Sequence, residues 1–188
     1  DQYAKSLDFF PRGTPLVCKN VRGQLLRIDW IEIEDSIAGN QVPQAKGLSS
    51  KGSGVNSFKI FTDSEDRNFV ATAGEDGEIS VYTPEGDIVE RLSGLEGESM
   101  DSFELVNSPN GLTMAGGGES GRVVLEHSGA RTLYLTGHNA TVSDICISAD
   151  QAWLATCSWD KSIIVRKIVQ DEPTHGFRIP AQLWGSLL

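Results

Sequence analysis

The 188-residue chain has no long apolar run. Its aliphatic residues come in short pieces such as "LLRI", "ISVY", "RVVL" and "SIIV", far from the ~20 apolar residues that a membrane-spanning helix needs. No charged segment leads into an apolar stretch at the start, so no secretory signal is read. No Met opens the chain, which fits a processed product or a piece of a longer protein. Cysteine is scarce, and Cys18, Cys146 and Cys157 make neither a CxxC pair nor a spaced metal set. That excludes a disulfide framework and leads us to expect reduced thiols, no bound metal, and a cytoplasmic or nuclear location. Cations are few as well: 16 Lys and Arg stand against 26 Asp and Glu, for a net charge of -10. This argues against direct contact with nucleic acid, where affinity is dominated by cations on phosphate. Helical periodicity is missing over any useful length.

Turns are plentiful, with 20 Gly and 7 Pro. "FVATAGEDGEISVY" (69–82), "LTMAGGGESGRVVLE" (112–126) and "WLATCSWDKSIIVR" (153–166) share one form: a short strand, a tight turn, a second strand. "PLVCKNVRGQLLRI" (15–28) is a weaker copy. The residues closing these turns are Gly23, Gly77, Gly121 and Lys161, separated by 54, 44 and 40 positions. The long first interval holds a Gly- and Ser-rich stretch, 35–55, read as an excursion loop. One strand upstream and one downstream of each hairpin make a four-stranded unit repeating about every 40 residues. Such a unit cannot bury both faces alone, so units must stack. A radial stack of four-stranded antiparallel blades is a β-propeller. The expected architecture is all-β, with about four blades at roughly 1–34, 56–92, 101–135 and 137–180. It is either a partial propeller or part of a larger one.

Residues 137–168, "GHNATVSDICISADQAWLATCSWDKSIIVRKI", closely resemble one repeat of the WD-repeat β-propellers, and 61–82 resemble the same repeat without its Gly-His. In that family the naming Trp-Asp pair ends the third strand, where this chain has Arg166 and Lys167. The Trp-Asp of "SWDK" is therefore a different pair. The resemblance implies that Asp160 is the turn Asp that accepts a hydrogen bond from the Gly-His imidazole. It gives His138, Thr156 and Asp160 as a structural network, with Thr72 and Asp76 as the matching pair in the second repeat and Tyr82 at the Trp place. In the third repeat Gly116, Ser120 and Glu126 hold those places and the network is absent. In the first, Cys18, Arg22 and Ile28 do, with Trp30 nearby. About four units are fewer than the roughly seven with which the family's propellers close. The expectation is completion by additional blades or subunits.

A His–Thr–Asp set also resembles a catalytic triad with a hydroxyl nucleophile. The repeat already explains the spacing, and no oxyanion-type Gly-rich turn follows Thr156, so no enzyme, catalytic residue or cofactor is expected. "GGGES" (116–120) lacks the Lys-Ser/Thr and the helix of a phosphate loop and reads as a turn. "FPRGT" (10–14) offers one Arg, too little for phosphate recognition. His127 and His175 read as loop residues, Trp153 as core, and Trp184 as packed under the last blade or part of a docking tail. Trp159 precedes the turn Asp, as Glu75 and Glu119 do in their repeats. All three are expected on the rim where the strand 2–3 turns gather. Trp159 is read either as packed over the adjacent blade or as an anchor for a protein partner with a basic flank.

The function that the family resemblance implies is a non-catalytic scaffold or adaptor for protein–protein interaction through propeller surfaces. The alternative rests on charge. From Glu75 to Glu104 there are ten carboxylates and one base, Arg91. That segment is either a solvated face or a platform for a basic peptide or histone-like partner.

Overall fold

The computed structural model describes residues 4–10, 15–20, 22–29, 34–35, 38–39, 45–48, 54–95, 97–108, 111–127, 132–168 and 176–180. Their strands form four sheets of four, each antiparallel in simple up-and-down order. The first sheet holds β1 (Ala4–Phe9), β2 (Leu16–Asn20), β3 (Leu25–Ile28) and β4 (Lys46–Gly47); the second holds β5 (Val55–Thr62), β6 (Asn68–Gly74), β7 (Glu78–Tyr82) and β8 (Ile88–Ser93). The third is β9 (Met100–Ser108), β10 (Gly111–Gly118), β11 (Val123–His127) and β12 (Leu133–Leu135), and the fourth β13 (Val142–Ile147), β14 (Trp153–Ser158), β15 (Ser162–Lys167) and β16 (Gly176–Pro180). One difference from the sequence reading concerns 35–55. Within that loop Lys46–Gly47 pairs with Arg27 and Leu26 as the fourth strand of the first sheet. Two residues are too short a strand to show any alternation. Trp30, His175, Trp184 and residues 11–14 lie outside the described residues.

The hairpin turns follow from backbone chemistry. Gly23, Gly77 and Gly121 adopt φ of 71°, 69° and 82°, and Lys161 adopts 64° in the same place. That left-handed conformation suits Gly and strains a side chain, so the Lys161 turn costs something that the other three do not.

Three apolar clusters join successive sheets. Phe10, Val17 and Leu25 of the first sheet pack on Val70 and Tyr82 of the second. Ile79, Val81 and Leu92 meet Met100, Phe103 and Met114 across the next interface. Val123 and Leu125 meet Ile145, Ile147 and Leu154 across the third. Burial alternates along β14 and β15, as period-two patterning requires, whereas most of β6, β7 and β10 is buried on both faces. Trp153 was expected in this core, but it is 43% exposed. It alternates with Leu154, which takes the core place, and so falls on the outer face of the fourth sheet.

Candidate functional site

In the fourth sheet the crossover from the third delivers His138 beneath the β14–β15 turn. Its Nε2 lies 2.9 Å from Thr156 Oγ1 and its Nδ1 3.1 Å from Asp160 Oδ2. An ionised carboxylate only accepts, so Nδ1 donates to Asp160, and in the neutral imidazole Nε2 is then the acceptor facing the Thr156 hydroxyl, which also reaches the Ile164 carbonyl at 3.4 Å. Asp160 gathers further donors that the sequence did not reveal: the Asn139 N–H at 3.0 Å, the Ser162 N–H at 3.0 Å and the Ser162 hydroxyl at 2.6 Å. Arg178 of β16 stands 3.5 Å away. Burial works to raise the Asp160 pKa, but the hydrogen bonds from Ser162, Asn139 and His138 outweigh it and hold the carboxyl well below the usual carboxylate range. Arg166, at the place where the family has Trp, is buried, and its guanidinium donates to the Thr136 carbonyl at the crossover.

The second sheet carries less. The Thr72 hydroxyl reaches the Ser80 carbonyl at 3.5 Å, and Asp76 accepts from the Glu78 N–H at 3.3 Å. Tyr82 is buried against the first sheet. In the third sheet Leu95, fully buried, occupies the crossover. Its carbonyl crowds Gly77 as that of His138 crowds Gly121. The side chain of Met100 fills the space beside Gly116, and Ser120 donates to Glu98 at 2.6 Å, with Arg122 paired to the same carboxylate. His127, read as a loop residue, ends β11 and lies 2.6 Å from the Thr113 hydroxyl.

On the turn rim Trp159 is 72% exposed, and Glu75 and Glu119 are exposed on the equivalent turns. The Trp159 backbone is held by a 3.0 Å bond from its N–H to the Thr141 carbonyl. Glu75 accepts from the Gly54 N–H at 3.1 Å. The acidic segment is partly neutralised: Glu78 pairs with Arg91, Glu98 with Arg122 and Glu104 with Lys59. Among the described residues no group of three or more His, Cys, Asp or Glu is arranged to hold a metal, and no helix is long and apolar enough to cross a membrane.

Residues 129–166 match the family described as WD domain, G-beta repeat. No curated protein matches the chain. Repeats of this family typically serve as non-catalytic surfaces for protein–protein interaction. The match takes in β12 of the third sheet and β13–β15, the strands that carry the His138 network, and all four sheets share one four-stranded antiparallel order, which is consistent with the blades of a WD-repeat propeller.

Proposed function

We propose that this chain is a non-catalytic scaffold that docks other proteins on its blade surfaces, in the cytoplasm or nucleus, and that further blades or subunits complete it. The observation that carries this reading is the outer face of each end sheet. On the first sheet Leu7, Cys18 and Leu26 stand in one cross-strand row, and Phe9, Leu16 and Ile28 in the next. On the fourth, Cys146, Ala155, Val165 and Phe177 align, beside Cys157, Ile163 and Ile179. Leu7 is 62% exposed and Phe177 56%. The inner faces of the same sheets are buried in clusters with their neighbours. Contiguous apolar surface of this kind marks an interface, and a blade-shaped face fits another blade.

Trp159 is the proposed partner contact on the rim, with Glu75 and Glu119 favouring a basic flank. Trp is enriched among interface hot spots, and an anchor held on a hydrogen-bonded turn loses little entropy on binding. Thr156 is only 1% exposed, so its hydroxyl is closed to any substrate, which favours a structural role for the His–Thr–Asp set.

Sedimentation and light scattering on the 188-residue chain test the proposal. Self-association is expected, and Leu7→Glu with Phe177→Glu should reduce it. A cooperatively folding monomer with both faces bare would overturn the completion reading.

A further inference from the structure

Each sheet breaks register in the same place. Opposite the end of its second strand, the first strand carries one extra residue: Lys5, Asn56, Asp101 or Ser143. Such bulges re-aim a side chain and recur beside functional sites. Three of the four, Lys5, Asn56 and Asp101, line a single cavity of about 410 Å³ where the first sheet meets the second.

Its walls differ in sign. Lys5, Lys19 and Arg22 come from the first sheet, and Glu75 and Asp101 from the second and third. Lys19 is only 6% exposed. Its ammonium donates to the Asn56 carbonyl, and an ammonium has three donors. Among the described residues none of these three cations forms an ion pair, whereas Arg27, Lys59, Arg67, Arg91 and Arg122 each hold a carboxylate. In a chain with 26 acidic and 16 basic side chains, three unpaired cations in one cavity stand out. Burial, and then the charge of Lys5, pull the Lys19 pKa down, as expected where negative charge is in short supply. The carboxylates opposite are held by other groups: Glu75 by the Gly54 N–H, and Asp101 by Asn56 and Ser99.

We propose that this cavity receives the carboxylate of a single Asp or Glu side chain, presented by a peptide segment of a partner protein and held by Lys19 with Lys5 and Arg22. The proposal rests on the scaffold reading and adds a chemistry for the partner. A carboxylate placed there gives the buried ammonium the ion-pair partner it lacks and further charge-assisted hydrogen bonds beside the one to Asn56. Three cations against two carboxylates leave one positive charge, which one acidic side chain neutralises. A polyanion meets Glu75 and Asp101 as well, and that repulsion selects against nucleic acid or polyphosphate.

Fluorescence anisotropy on the full chain, in whatever assembly it forms, tests the site. The probes are labelled Gly-Ser peptides with one central Glu, the same peptides with Gln, and the same with phosphoserine. The Glu peptide should bind about tenfold more tightly than the Gln peptide, the scale of losing one charge-assisted contact. Lys19→Met, which keeps the volume, should abolish that preference. Lys5→Gln, at an exposed position, should weaken it and carries the test alone if the Met variant fails to fold. Equal binding of the Glu and Gln peptides would overturn the proposal, as would a preference surviving both substitutions. Tighter binding of the phosphoserine peptide would replace it with a phosphate site. Self-association of the chain without any Glu preference would sink this site and leave the scaffold reading standing.

Discussion

Where the chain crosses from its third sheet to its fourth it places His138, and where it crosses from its second to its third it places Leu95. The two backbones agree: the carbonyl of each residue crowds a turn glycine of the preceding sheet, Gly121 or Gly77. The side chains solve the junction differently. His138 is satisfied by Thr156 and Asp160, while Leu95 joins an apolar cluster with Met100 and Phe103. The matching position on the second strand changes in step, Thr156 in one sheet and Gly116 in the other, with Met100 against Gly116. A buried polar chain is tolerable only when each member has a partner, and an apolar junction only when no polar member remains. Each sheet is consistent within itself, so the blade shape persists while its chemistry is exchanged.

The largest effect should come from breaking the apolar junction. Leu95→Ala is expected to cost about 2–5 kcal/mol by leaving a cavity, read as a lowered denaturant midpoint. Breaking the polar junction should cost less: His138→Ala, by removing one buried partner each from Thr156 and Asp160, about 1–3 kcal/mol. Writing one chemistry into the other sheet sharpens the contrast. His138→Leu alone should be as harmful as His138→Ala, and adding Thr156→Val should recover part of the loss, because apolar replacement of both partners of a bond is far better tolerated than of one. No recovery would mean that the two junctions are not equivalent.

Acid separates the junctions further. The folded pKa of Asp160 is depressed, so its contribution is fully present above the unfolded value of about 3.9 and is lost as pH falls through the folded value. Urea midpoints measured on either side of pH 4 should fall more steeply in the native chain than in Asp160→Asn, and parallel curves would contradict the assignment. Smaller still, Lys161→Gly should raise stability by about 1 kcal/mol or less, since the other three turns already have glycine at that left-handed position. Trp159→Ala should move the melt by no more than about 0.5 kcal/mol, as surface changes usually do, while weakening recovery of protein partners. A destabilisation of several kcal/mol with binding intact per folded molecule would make Trp159 a packing residue.

Much of this was legible in the chain. Turn residues near a 40-residue spacing announced the hairpins, because left-handed turns restrict residue choice locally. His138, Thr156 and Asp160 could be named because three polar residues kept their family spacing. Asn139, Ser162 and Arg178 could not, since an oxygen accepting several donors leaves no mark on the spacing of any one of them. Trp153 was misplaced for a related reason: on a strand of a stacked sheet both faces can be apolar, and only knowledge of the neighbour says which is covered.

Local chemistry written in the sequence determined the strands, the turns, the four-stranded unit and the polar set of the last repeat, each through contacts between residues close along the chain. Only the tertiary structure decided which apolar faces are buried and which stay open at the two ends. It alone brought Lys5, Lys19, Arg22, Glu75 and Asp101 around one cavity, because those side chains come from three sheets and from bulges where the register of two strands slips by a residue. A one-residue slip is a property of the pairing between strands, and neither strand carries it alone.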